Sequence, residues 1–165
     1  MTIGELATEL GAMLVAEGLT IATAESCTAG GIGSAIASID GASRYFRGGV
    51  IAYATELKTT VLDVPAEVVE RHGVVSRQTA EAMNEGVRRL THSDVAVSIT
   101  GYAGSSGGDQ FAPNGTIWIC AGMTGGATLT ECLHVGGARS ENLQSAILHA
   151  LALAVRLLKN AAAAH

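Results

Sequence analysis

Four short segments of the sequence carry residue types that could do chemistry. The first is residues 24–31 (AESCTAGG), which join an apolar run to a helical pattern. Ser26 stands at the start of a helix predicted over 26–39, where free N–H groups and the helix dipole favour an oxyanion or a phosphate. Ser26 is either a nucleophile or only the cap of that helix. Cys27 is a rival nucleophile, although a free cysteine is commonly just a buried side chain.

The second segment holds Tyr53 and Lys58. No carboxylate lies three or four positions from Lys58, and its flanks are largely apolar. A desolvated lysine has a lowered pKa and can act as a base. The alternative is a surface lysine whose apolar stem lies along the protein while its ammonium stays in water.

The other two segments are candidates for holding an anion. Residues 100–104 (TGYAG) follow a predicted strand, and ligands of α/β sheets bind beyond the carboxyl ends of strands. Glycine-rich loops also offer N–H groups to a phosphate. Residues 136–139 (GGAR) end in Arg139, whose guanidinium can form two parallel hydrogen bonds with a phosphate or a carboxylate. The alternatives are a flexible connection and a surface arginine paired with Glu141.

Hydrophobic spacing predicts the elements that must position these segments. Strands are predicted at 19–24, 48–54, 94–99, 116–121 and 128–135. Helices are predicted at 3–16, 26–39, 55–62 and 65–73, after the N-cap Ser76, and after Arg139. The run 48–54 is apolar on both faces, as in a central strand. The last two strands should form an antiparallel hairpin.

This alternation of strands and helices predicts an α/β fold. We expect a single three-layer domain over residues 1–160, with a mixed, mostly parallel central sheet and helices on both faces. Residues 161–165 are predicted to be a disordered tail.

The composition limits the classes of function. Of the 165 residues, 48% are hydrophobic and 15% are charged, which argues against disorder. The net charge of −5 opposes nucleic-acid binding, which needs a basic surface. The three cysteines have no disulfide-framework or zinc spacing. The N-terminus has no basic signal region, and the apolar run at 147–158 is too short to cross a bilayer. We therefore expect a reduced, cytoplasmic protein that binds neither membrane nor nucleic acid.

Five motifs together resemble the CinA C-terminal domain family, in order and over nearly the whole chain. They are residues 24–28 with Gly30 and Gly31, residues 46–53 with Lys58, residues 72–76, residues 100–104 and residues 115–117. Stand-alone members of that family are nicotinamide-nucleotide amidases, which hydrolyse nicotinamide mononucleotide to nicotinate mononucleotide and ammonia. The sequence departs from the family pattern at Ala29, Thr55 and Ser105, where the family usually has Gly, Asn and Pro.

The resemblance implies that Ser26 is the nucleophile and Lys58 its base, with Tyr53 in the same hydrogen-bond network. It implies a set of residues that line the pocket or hold the ribose phosphate or the amide: Thr28, Gly30, Gly31, Ser43, Thr100, Gly101, Ala103, Gly104 and Arg139. Backbone N–H groups at the start of the 26–39 helix would form the oxyanion hole. It implies a small nucleotide substrate, no cofactor and no metal, and we expect a homo-oligomer, a dimer or larger. The alternative function is a non-catalytic nucleotide-binding or regulatory domain.

Overall fold

A computed structural model describes all 165 residues, in six α-helices and five strands. The helices are α1 (Ile3–Glu17), α2 (Gly31–Ala37), α3 (Thr55–Thr60), α4 (Ala66–His72), α5 (Arg77–Thr91) and α6 (Arg139–Ala163). The strands are β1 (Ile21–Glu25), β2 (Phe46–Ile51), β3 (Val95–Gly101), β4 (Thr116–Met123) and β5 (Thr128–His134). A short 3-10 helix, Ala42–Arg44, precedes β2.

The strands form one open sheet in the order β2-β1-β3-β4-β5. Strands β2, β1 and β3 are parallel neighbours, whereas β4 is antiparallel to both β3 and β5. Four of the five strands therefore run in the same direction. This confirms the predicted α/β domain with a mixed sheet, including the antiparallel hairpin of β4 and β5.

Helices cover both faces of the sheet. On one face α1, α2 and α6 enclose the larger hydrophobic core, and on the other face α5 packs over β1, β3 and β4. By length and composition α6 could cross a membrane, but 50% of its most apolar stretch is buried inside the domain. Its inward side chains include Leu151, Ala154 and Leu158, so α6 serves here as a core helix.

Three sequence expectations about the elements are wrong. Strand β2 lies at the edge of the sheet, because it pairs with β1 alone, and Ile51 is 52% exposed. The helix after Ser26 does not begin until Gly31, because the two preceding residues have positive φ and cannot continue a helix. The expected disordered tail is helical through Ala163, in keeping with alanine's high helix propensity.

A close backbone contact fixes α5 against the segment that follows α3. Gly86 lies inside α5, and a Cβ atom there would overlap the carbonyl oxygen of Leu62. We expect Gly86→Ala to lower the free energy of unfolding by about 2 kcal/mol or more, since the obstacle is backbone. Gly4→Ala, in α1 with its nearest neighbour 3.9 Å from the new Cβ, is the matched control and should be neutral or slightly stabilising. Urea unfolding of both variants checks this, and equal stabilities would contradict the packing.

Candidate active site

A cavity of about 300 Å³ lies beyond the carboxyl ends of β1 and β3. This is the position at which parallel α/β sheets bind ligands. None of its lining side chains is a carboxylate, and two are cationic. The lining residues are Ser26, Cys27, Tyr53, Thr55, Lys58, Val74, Val75, Thr100, Gly101, Tyr102, Ala103, Gly104, Ser106 and Arg139.

Ser26 and Lys58 meet in this cavity. Lys58 Nζ lies 3.0 Å from Ser26 Oγ and also donates to the carbonyl oxygen of Ala52 at 2.7 Å. Helix α3 carries Lys58 back over Ala52, and the lysine side chain is only 1% exposed. The structure therefore excludes the alternative of a surface lysine in water.

No carboxylate pairs with Lys58 in this structure. Burial lowers the pKa of the Lys58 amine from 10.5 to about 8, because a desolvated ammonium is disfavoured. A neutral amine has one lone pair and two N–H groups. With one N–H on Ala52, its lone pair can accept the hydroxyl proton of Ser26, which is the arrangement that a general base requires.

Cys27 is next to this pair but is a poor nucleophile. Its side chain is 6% exposed, and burial raises the pKa of the thiol to about 11. At neutral pH the thiol is protonated, and the thiolate is the reactive form of cysteine. The structure thus favours Ser26 over Cys27.

The turn after Ser26 is held by Glu25, whose carboxylate is 1% exposed. It accepts hydrogen bonds from Thr28 Oγ1 at 2.7 Å, from Ile32 N at 2.9 Å and from Gly33 N at 2.8 Å. The first N–H groups of α2 are thereby occupied, so Ser26 is not the helix cap and α2 itself does not supply the oxyanion hole.

Free donors lie instead in the turn. The backbone N–H groups of Cys27 and Thr28 make no hydrogen bond to another residue. They follow the serine directly, where an oxyanion formed by its attack needs stabilisation. The free N–H groups therefore lie in the turn that precedes α2, and not at the helix start, where the oxyanion hole was expected.

Arg139 lies at the other rim of the cavity, at the first residue of α6. Its guanidinium donates to Tyr53 Oη at 3.1 Å and pairs with no carboxylate, so the alternative of a surface pair with Glu141 is excluded. Tyr53 makes no hydrogen bond to Ser26 or Lys58. It is 57% exposed and orients the arginine, which corrects its expected place in the Ser–Lys network.

The glycine loop after β3 forms the wall between these groups. Thr100 Oγ1 donates to the carbonyl oxygen of Val74 at 2.8 Å. This hydrogen bond joins the end of β3 to the segment before α5, and both segments line the cavity. The N–H groups of Ala103 and Gly104 have no acceptor in the chain. A Cβ atom on Gly104 would lie 3.1 Å from Arg139 Nη1, so the absence of a side chain there lets the guanidinium approach the loop.

Four residues of the predicted set do not line the cavity. The Thr28 hydroxyl is used by Glu25. Gly30 and Gly31 are packing positions, since Cβ atoms there would meet isoleucine side chains at 3.1 and 2.6 Å. Ser43 is exposed in the 3-10 helix before β2, at the opposite end of the sheet, because β2 begins beside the start of β1.

Sequence reasoning gave no role to two buried polar residues of the site. Glu25 stood inside the first motif, and a carboxylate directly before a predicted helix start was an available signal. Asn142 gave no signal, because a polar residue in the first turn of α6 is unremarkable until its contacts are known.

The pKa of Lys58 makes stability depend on pH. Below about pH 8 both folded and unfolded chains hold the proton. Between pH 8 and 10.5 only the unfolded chain does, so the free energy of unfolding rises with pH, by about 3 kcal/mol in total. Lys58→Met fills a similar volume without a proton and should lack this rise. Urea unfolding at pH 7.5, 9 and 10 gives the free energy of unfolding of the wild type and of Lys58→Met. The contributions of all other titratable groups cancel in the difference between these two free energies. Parallel pH curves would show that Lys58 titrates normally.

Comparisons with known proteins identify the family of this chain. The family model described as the CinA C-terminal domain matches residues 3–158. A CinA-like protein of Gemmatimonas aurantiaca is 43% identical over 137 residues, covering 81% of this chain and 32% of that protein. A CinA-like protein of Cytophaga hutchinsonii is 41% identical over 150 residues, covering 91% and 36%. The chain thus spans about a third of the length of these curated relatives.

A solved structure extends the agreement to the fold. The crystal structure of a competence or damage-inducible protein from Enterobacter asburiae superposes with a TM-score of 0.92 at 31% identity. The match covers 96% of this chain and 99% of that one. The chain belongs to the CinA C-terminal domain family.

Proposed function

We propose that this chain is an amidohydrolase that converts nicotinamide mononucleotide to nicotinate mononucleotide and ammonia. The observation that carries the proposal is the 3.0 Å contact between Ser26 Oγ and Lys58 Nζ, a buried amine with no counter-charge. Ser–Lys pairs are a known variant of the serine nucleophile and its base. The nucleotide substrate is taken from the family resemblance, and the cationic cavity supports it.

The acylation step follows from the contact. Neutral Lys58 accepts the proton of the Ser26 hydroxyl as Oγ attacks the carboxamide carbon. The carbonyl oxygen becomes an oxyanion, which the backbone N–H group of Cys27, a residue that lines the cavity, can stabilise. The ammonium of Lys58 then gives its proton to the amide nitrogen. The C–N bond breaks, ammonia leaves, and an ester links the nicotinoyl group to Ser26.

Deacylation uses the same base once more. Lys58 is neutral after ammonia departs and can deprotonate a water that attacks the ester. The second tetrahedral intermediate collapses as the Lys58 ammonium returns its proton to Ser26 Oγ, and the carboxylic acid product leaves and loses its proton to the solvent. One water is consumed and one ammonia is formed per turnover, with no redox change.

The phosphate end of the nucleotide fits the opposite rim. Arg139, Ala103 and Gly104 line the cavity, the N–H groups of the two loop residues have no acceptor, and no carboxylate lies among the lining residues. Arginine and backbone amides are both strong phosphate ligands. Because the chain has a net charge of −5, an anion needs such a local group of hydrogen-bond donors to be bound.

The decisive experiment is ammonia release from nicotinamide mononucleotide by the purified chain. Ser26→Ala should reduce turnover by several orders of magnitude and leave the melting temperature nearly unchanged, because the serine caps no helix. Cys27→Ala is the matched control and should keep most of the activity. A dead Cys27→Ala with an active Ser26→Ala would reverse the assignment. Nucleotide binding without ammonia release from the wild type would instead support a non-catalytic regulatory domain.

Arg139 is tested by comparing nicotinamide mononucleotide with nicotinamide riboside, which lacks the phosphate. We expect Arg139→Ala to raise KM for the nucleotide by about tenfold or more, the effect of losing about 1.4 kcal/mol of binding, with a much smaller change for the riboside. Arg89→Ala, a surface arginine of α5 near Glu85, is the control and should change neither KM. An equal effect of Arg139→Ala on both substrates would place Arg139 away from the phosphate.

A further inference from the structure

The side chain of Asn142 joins two segments that meet at the rim of the cavity. It is 4% exposed. Its Nδ2 group donates to the carbonyl oxygens of Ala103 and Gly137, each at 2.9 Å. Its Oδ1 accepts from the N–H of Gly137 at 3.0 Å. Every polar group of the carboxamide is thus satisfied by backbone.

Each of the two joined segments carries an anion donor. Ala103 and Gly104 carry the free N–H groups of the loop after β3. Gly137 lies two residues before Arg139. Asn142 therefore sets the spacing between the loop amides and the start of the helix that presents the guanidinium.

Little else holds these segments together. Gly136 and Gly137 are exposed, and glycines lose more conformational freedom on ordering than other residues. The guanidinium of Arg139 has one hydrogen bond, to Tyr53. A ligand that needs both donors at once binds well only if their spacing is fixed before it arrives.

We propose that Asn142 is the positioning residue of the phosphate-binding group formed by Arg139 and the amides of Ala103 and Gly104. This inference rests on the proposed function for the identity of the phosphorylated ligand. The role requires an amide side chain, because the side chain must donate to the two carbonyl oxygens of Ala103 and Gly137 and accept from the N–H of Gly137. An aspartate has the same shape but cannot donate to the two carbonyl oxygens.

The chain offers a matched control in Asn84. This side chain is 1% exposed, and its Nδ2 also donates to two carbonyl oxygens, those of Ala96 and Cys120 at 2.9 and 3.1 Å. Asn84 belongs to α5, where it faces the sheet, and it does not line the cavity. Loss of either asparagine removes the same kind of contact, but only Asn142 contacts a residue that lines the cavity, Ala103.

The test measures the binding of ribose 5-phosphate by calorimetry, together with the kinetics of nicotinamide mononucleotide and its riboside. We expect Asn142→Ala and Asn142→Asp to weaken ribose 5-phosphate binding about tenfold or more and to raise the nucleotide KM similarly. Turnover at saturation and the riboside KM should stay near wild type. Asn84→Ala should lower the melting temperature comparably and change no binding constant. The near-isosteric Asn142→Asp, checked by circular dichroism, keeps the test valid if the alanine variant does not fold.

Several outcomes overturn the inference: unchanged ribose 5-phosphate affinity in folded Asn142 variants, an equal loss in Asn84→Ala, or no binding to the wild type. A wild type that binds ribose 5-phosphate through Asn142 but releases no ammonia would sustain this inference and refute the proposed amidase. The two proposals therefore fail separately.

Discussion

An amine without a counter-charge inside the domain is the constraint on which the site depends. Lys58 is buried, and its two partners, Ser26 Oγ and the carbonyl oxygen of Ala52, are uncharged. Burial in such surroundings disfavours the ammonium, so the fold gives up stability to keep a proton acceptor beside a hydroxyl. A neighbouring carboxylate would raise the pKa of the amine and so reduce the neutral fraction that can accept a proton.

Strand register sets the distance between the two groups. Glu25 and Ile51 are partners in the parallel pair of β1 and β2, and Ala52 N donates to Glu25 O at 2.7 Å just beyond it. Ser26 and Ala52 are thereby neighbours at the ends of their strands. A slip of one residue would point each side chain to the opposite face of the sheet. The pairing of β1 with β2 thus fixes where Ser26 lies relative to Ala52, and α3 brings Lys58 within hydrogen-bond distance of both.

The sequence predicts the elements better than the contacts of the site. The isolation of Lys58 from carboxylates on its own helix is visible in the spacing alone. The position of Ser26 outside the helix is not visible in the spacing. It depends on positive φ values of 47° at Ala29 and 95° at Gly30, because of which α2 begins only at Gly31. Spacing likewise cannot show that Ser43 lies at the far end of the sheet. Such placements follow from chain direction and pairing, which are properties of the whole fold.

The wide scatter of the site along the chain has a consequence for folding. Ser26, Lys58, Ala103 and Arg139 converge only after β1 has paired with β3, which joins Ala22 to Ala96. Parallel pairing at such separation closes a long loop and is intrinsically slow. The lining of the cavity runs from Ser26 to Arg139, so the complete cavity exists only after the C-terminal helix α6 has been synthesised and has packed against the sheet.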